Sequence, residues 1–201
     1  MESAMAKRAV FLDRDGVLNE LALNPKNGEY ESPHDTGTVQ MMPGATVAAK
    51  KLQDAGFTLF IVSNQPSFAK GKTTLENIHA IAHLVESNLL AAGATILRAY
   101  YCYHHPDGTV PPYAGACRCR KPKPQFLFDA RDEFGIDLSQ SWMIGDQDSD
   151  VECGRRAGCR TVAVANALSA HRRPGNEVPT FGARDLADAA EKIIGLQKHA
   201  G

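Results

Sequence analysis

The chain has 201 residues, 43% hydrophobic and 22% charged, which suffices for one domain with an ordinary buried core. Its 22 Lys and Arg against 23 Asp and Glu leave a net charge of −1, so it offers no basic field for nucleic acid and no acidic tail. No apolar run approaches the ~20 residues of a membrane span, and Met1 to Arg8 lacks the apolar stretch of a secretory signal, so the expectation is a cytoplasmic protein, monomer favoured, with neither nucleic acid nor membrane as partner.

Ala9-Val10-Phe11-Leu12 is a short apolar run cut off by Asp13-Arg14-Asp15-Gly16, the mark of a buried strand. Residues 24–38, with two prolines and two glycines, read as an ordered loop over a site. A helix is predicted over 45–55, with Val47, Ala48, Leu52 and Ala55 on one face and Gly56 ending it. Thr58 to Val62 reads as a strand that runs into Ser63-Asn64-Gln65. Thr73-Thr74 caps a helix over 75–92, whose Ile78, Ile81, Ala82, Val85 and Leu89 recur at helical spacing. A strand over 96–102 precedes an irregular insert, 103–124, that holds five prolines. Beyond it come a helix over 124–134, a strand over 142–144, a helix over 148–157, a strand over 161–164 and a last helix over 184–196. Strands alternating with helices predict an α/β fold, a Rossmann-like three-layer sandwich with a mainly parallel sheet, formed by residues 1–201 as a single domain. Ligands in such sheets bind beyond the carboxyl ends of the strands. Asp13, Ser63 and Asp146 each follow a predicted strand, so all three are expected at one rim.

Asp13 and Asp15, two apart after a buried strand and followed by Gly16, can divide the work of a nucleophile and a proton donor and acceptor. Taken alone, Asp-x-Asp-Gly also suits a turn whose carboxylates cap backbone N–H groups. Ser63 offers a hydroxyl to a phosphoryl oxygen, Lys121 a compact cation, and Asp146 and Asp150 further carboxylates of the hard kind that suits magnesium.

A second metal is suggested by Cys102-x-His104 and Cys117-x-Cys119, three thiolates and one imidazole with twelve residues between the pairs. That set fills a tetrahedral zinc site and leaves no open position, so the zinc is structural and the loop, about residues 102–119, is braced by it. The bland alternative is a set of scattered thiols. His105 is a competing ligand, and Cys153 and Cys159 read as small buried hydrophobes. Arg118, Arg120 and Lys121 flank the cluster, so the zinc would brace the segment that presents Lys121.

Four segments in this order resemble the haloacid dehalogenase-like phosphatase superfamily: Asp13-Arg14-Asp15-Gly16-Val17-Leu18-Asn19, Ser63-Asn64, Lys121, and Gly145-Asp146 through Asp150. The resemblance spans about residues 8–165. It implies that Asp13 takes the phosphoryl group as an aspartyl phosphate and that Asp15 is general acid and base. It further implies that Ser63, Asn64 and Lys121 hold the substrate, and that Mg²⁺ is bound by Asp13, the Asp15 carbonyl and Asp146, with Asp150 supporting. The Cys/His cluster narrows the resemblance to the subgroup with a zinc-bound loop in place of a large cap domain, which contains heptose bisphosphate and histidinol-phosphate phosphatases. The long gap between His104 and Cys117 is more like the heptose enzymes, which implies hydrolysis of D-glycero-D-manno-heptose 1,7-bisphosphate at the 7-phosphate, a step toward lipopolysaccharide precursors.

Where heptose-type members carry Thr-Asn-Gln-Ser-Gly-Ile-Ala-Arg-Gly, this chain has Ser63-Asn64-Gln65-Pro66-Ser67-Phe68-Ala69-Lys70-Gly71. Gln147 stands where a basic residue is frequent. Arg120, with Lys70 and Lys72 behind it, is the candidate site for a second phosphate. Two alternatives stand beside this reading: a phosphatase for histidinol phosphate or another small phosphomonoester, and a receiver-like module that only binds phosphate. Asp15 speaks against the module, which needs no acid to protonate a leaving alcohol.

Overall fold

The computed structural model describes residues 7–173 and 175–198. Residues 1–6, part of the segment read above for a secretory signal, lie outside them. Among the described residues, six parallel strands form one sheet in the order β5-β4-β1-β6-β7-β8. These are β1 (Ala9–Leu12), β4 (Thr58–Asn64), β5 (Ile96–Cys102), β6 (Trp142–Gly145), β7 (Arg160–Val164) and β8 (Phe181–Ala183). A separate antiparallel hairpin pairs β2 (Ala22–Asn24) with β3 (Glu29–Glu31). The helices are α1 (Ala45–Asp54), α2 (Leu75–Ala91), α3 (Gln125–Phe134), α4 (Asp148–Ala157) and α5 (Leu186–Lys198).

Alternation along the central strands builds the three layers. Val10, Leu12, Leu59, Ile61, Trp142 and Ile144 face one side and pack with α1, α2 and α5 through Leu52, Leu89 and Ile193. Ala9, Phe11, Phe60, Val62 and Met143 face the other and pack with α3 and α4 through Leu127, Ala130 and Cys153. Every residue of β1 is buried, because both faces of a parallel sheet are covered. Cys153 and Cys159 join the second core as small apolar groups.

Four details depart from the sequence expectations. Residues 24–38 are not a plain loop: they include one strand of the β2–β3 hairpin and a 3₁₀ turn at Thr36–Thr38 capped by Asp35. Val47 is 57% exposed; the buried face of α1 is Ala45, Ala48, Ala49 and Leu52, a stripe of mostly small residues that hydrophobic spacing alone misplaces. β8 has only three residues and carries too little periodicity to be seen in advance. β4 runs two residues further than expected, so Ser63 and Asn64 belong to the strand. No helix among the described residues is long and apolar enough to cross a membrane.

Candidate active site

β1 lies between β4 and β6, so the residues at or just beyond their carboxyl ends open into one crevice. The Asp13 amide donates to the Ile144 carbonyl at 2.9 Å, which extends the β1–β6 ladder one residue past the strand and aims Asp13 at β6. Asp146 is the first residue beyond β6, and Asp150 lies in the first turn of α4, where its carboxylate accepts from the Gln147 amide at 3.0 Å. Asp13, Asp146 and Asp150 each bring a carboxylate oxygen within 4.8 Å of the others, and all three are buried. Two glycines make the approach possible. A Cβ on Gly16, whose φ is +85°, would stand 2.2 Å from Asp146 Oδ2, and one on Gly145 would stand 2.2 Å from Asp150 Oδ2.

Lys121 reaches into the carboxylates from the insert. Its Nζ lies 2.9 Å from Asp13 Oδ1 and 2.8 Å from Asp150 Oδ1, and it donates to the Val62 carbonyl at 2.7 Å. All three ammonium protons are thus engaged within the protein. Burial alone would lower its pKa; the Asp13 and Asp150 carboxylates outweigh it and hold the ammonium above its ordinary range. Asn64, expected to bind substrate, lines the crevice but bonds both ways to the main chain of Lys121, at 3.0 and 3.2 Å, and so fixes where that cation sits.

Asp146 has no ion-pair partner: both its oxygens are buried, and the Ser169 hydroxyl and the charge of Lys121 favour its ionised form. Burial first, then the charges of Asp13 and Asp150, push its pKa up to about 8. Asp150 is raised to about 6, again mainly by burial, with Lys121 opposing and Asp13 adding to the rise. Three buried carboxylates against one ammonium, one of them without an ion pair, form a donor set that fits a hard divalent cation such as Mg²⁺.

In the unfolded chain Asp146 and Asp150 titrate near 3.8, so between that pH and about 8 the native state binds more protons than the unfolded one. Their contribution to stability is therefore lost as pH rises. In EDTA the melting temperature should fall from pH 6 to pH 8, millimolar Mg²⁺ should raise it more at pH 8 than at pH 6, and Asp146→Asn should flatten the trend. A melting temperature in EDTA that climbs across this interval would contradict the arrangement.

Asp15 sits in a separate hydrogen-bonded network. The fully buried Arg14 donates from Nε and Nη2 to Asp15 Oδ1 at 3.0 and 2.9 Å, and from Nη2 to Gln65 Oε1 at 2.8 Å. Asn19 Nδ2, Gln65 Nε2 and Ser32 Oγ also donate to Asp15, at 2.9, 2.6 and 2.7 Å. Burial would raise its pKa, but Arg14 and the bonds from Gln65, Asn19 and Ser32 together hold the carboxyl below the ordinary range. Gln65 Nε2 also lies 3.1 Å from Ser63 Oγ, which joins this network to the end of β4. Sequence reasoning gave Arg14, Ser32 and Gln65 no part in the site. The first and last adjoin assigned residues, but nothing in their types announces that they converge on Asp15.

The cleft above these groups has a volume of about 340 Å³. It is lined by Asp13, Asp15 and Asp150 and by a cationic wall, Lys70, Lys72 and Arg120, beside Glu31. Burial and then the nearby charges of Lys72 and Arg120 lower the pKa of Lys70, and Arg120 is likewise lowered by burial.

Cys102, His104, Cys117 and Cys119 meet as expected, their ligand atoms all within 4.8 Å of one another. The sulfurs stand 3.2–3.5 Å apart, and His104 Nδ1 is buried with no hydrogen-bond partner. Hydrogen bonding with Cys102, then with Cys117 and His104, holds the Cys119 thiol below its ordinary range against the effect of burial. His105 is excluded from the group and instead accepts from the Asp107 amide at 3.1 Å. Tetrahedral thiolate–imidazole sets of this kind suit zinc.

A family model described as "HAD-hyrolase-like" matches residues 118–189. A D-glycero-D-manno-heptose-1,7-bisphosphate 7-phosphatase of Thermosynechococcus vestitus is 35% identical over 94% of this chain and 96% of its own. The chain belongs to the haloacid dehalogenase-like phosphatases. It is therefore a phosphoric monoester hydrolase. A D-glycero-alpha-D-manno-heptose-1,7-bisphosphate 7-phosphatase of Photorhabdus laumondii is 33% identical over 75% of this chain and 78% of its own. Among solved structures, the D,D-heptose 1,7-bisphosphate phosphatase of B. bronchiseptica, complexed with magnesium and phosphate, superposes with a TM-score of 0.78 at 26% identity, covering 95% of this chain and 99% of that one.

Proposed function

We propose that this phosphatase removes the 7-phosphate of D-glycero-D-manno-heptose 1,7-bisphosphate, with Asp13 as the nucleophile. The observation that carries the reading is a cleft lined by charges of both signs. Asp13, Asp146 and Asp150 gather at one point, and Lys70 and Arg120, which form no ion pair among the described residues, line the cleft with the Glu31-paired Lys72, where a second phosphate needs positive charge. Relatives named for this substrate support it over the histidinol phosphate alternative, since histidinol phosphate has no second anion to use that wall.

The Mg²⁺ would be held by Asp13, the Asp15 carbonyl and Asp146, with Asp150 beside them; when bound it offsets the clustered negative charge and polarises the phosphoryl group. Asp13 attacks phosphorus in line and the leaving sugar hydroxyl departs. Asp15 protonates that oxygen, and then takes a proton from the water that cleaves the aspartyl phosphate. In the free protein Asp15 is a carboxylate, held by Arg14, Gln65, Asn19 and Ser32. A phosphate dianion beside it raises its proton affinity, so the substrate itself prepares the acid. Ser63 and Lys121 bind phosphoryl oxygens, which requires Lys121 to share protons now given to Asp13, Asp150 and Val62.

The test is kcat/KM across a panel of both anomers of the heptose bisphosphate, histidinol phosphate and generic sugar monophosphates. A preference for either heptose anomer supports the reading; a preference for histidinol phosphate overturns it.

Zinc in the Cys102, His104, Cys117, Cys119 site would brace Lys121, only two residues beyond Cys119. Its removal should leave the carboxylates intact but lower kcat/KM by about 10–100-fold, the usual range for disturbing a supporting shell. Unchanged kcat and KM in folded, zinc-free protein would refute the bracing role. Thiols in such a site persist in a reducing compartment, which favours the cytoplasm.

A further inference from the structure

Glu31, at the end of β3, faces the cationic wall. Its side chain is only 13% exposed; it pairs with Lys72 through Oε2, accepts from Asn24 Nδ2 through Oε1, and lies 3.8 Å from His34 Nε2. The segment is tied on either side: Ser32 Oγ donates to Asp15 at 2.7 Å, and Thr73 Oγ1 donates to the His34 carbonyl at 2.6 Å. The Glu31–Lys72 pair stands between the 340 Å³ cleft and a second cavity of about 520 Å³ under the hairpin, and lines both. Of the three wall cations, Lys70 and Arg120 form no ion pair among the described residues, whereas Lys72 is taken by Glu31.

We propose that Glu31 is a specificity-determining residue, a latch that withholds Lys72 from the cleft until a second anionic group on the substrate displaces its carboxylate. The inference rests on the phosphatase reading above and adds to it. A monophosphate spends its one phosphoryl group at Asp13 and Lys121 and has nothing to exchange for Glu31. A bisphosphate presents a second, nearly dianionic group to Lys70 and Arg120, and at the wall it competes with Glu31 for the third cation. The latch thus weakens bisphosphate binding and lowers the preference for a bisphosphate over a monophosphate.

The experiment measures Kd by calorimetry for heptose 1,7-bisphosphate and heptose 7-phosphate, with Mg²⁺, in the Asp13→Asn background where ligand is not consumed. The readout is the ratio of monophosphate Kd to bisphosphate Kd. Glu31→Gln, which keeps the shape and removes the charge, should raise this ratio about tenfold. Lys72→Met should lower it, and Glu31→Gln should add nothing once Lys72 is gone. A ratio within twofold of the parent in Glu31→Gln, an unmoved ratio in Lys72→Met, or the same rise in both backgrounds would overturn the latch. Absence of turnover by the wild-type enzyme on any phosphomonoester would instead sink the phosphatase reading, independently of these ratios.

Discussion

Replacing Asp13 with Asn should abolish turnover without unfolding the protein. The amide has the size and shape of the carboxylate but lacks the charge and nucleophilicity to form an acyl phosphate, so kcat on an aryl phosphate should drop by about 10⁴-fold or more. Stability should hold because the substitution removes one of three mutually repelling buried carboxylates, while Lys121 keeps Asp150 and the Val62 carbonyl as acceptors. Steady-state rates and a thermal melt on the same preparation check both halves. Retention of more than about 1% of kcat would show that another group carries the phosphoryl transfer.

Lys121→Met is expected to damage both fold and chemistry. Lys121 is 4% exposed and bonded to Asp13 and Asp150; without it, those carboxylates and Asp146 face one another inside the protein. Breaking a buried pair by removing one partner costs about 3–5 kcal/mol. For a chain of this size that corresponds to a loss of roughly 6–20 °C in melting temperature in EDTA at pH 8. Mg²⁺ or a lower pH should restore part of the loss, the first by supplying positive charge and the second by protonating Asp146 and Asp150. With Mg²⁺ present, kcat should still fall by about 10²–10³-fold, as when a preorganised transition-state donor is removed. A wild-type melting temperature in EDTA at pH 8 would mean that the three carboxylates do not repel as their burial demands.

Much of this was legible in advance where a local rule decides the outcome. The apolar run Ala9–Leu12 and its abrupt stop at Asp13 define a buried strand and the position of its first polar residue. Because β1, β4 and β6 are parallel neighbours, that stop, Ser63 and Asp146 arrive at a common rim. The Cys-x-His and Cys-x-Cys pairs were readable as a metal set because thiol and imidazole in so tight a pattern have few other uses. The burial of α1 was less legible: alanines carry weak hydrophobic signal, so exposed Val47 drew the predicted face away from Ala45 and Ala49.

The list of reactive side chains and the strand ends that carry them is written in short-range pattern: apolar run, turn, acid. How those groups are paired depends on the folded chain. Gln65 and Ser32 reach Asp15 from the end of β4 and the residue after β3, Glu31 closes on Lys72 across 41 positions, and Lys121 bridges Asp13 and Asp150 from an irregular insert. Charges far apart along the chain set one another's protonation only after folding removes water from between them, and no periodicity of residues encodes that proximity.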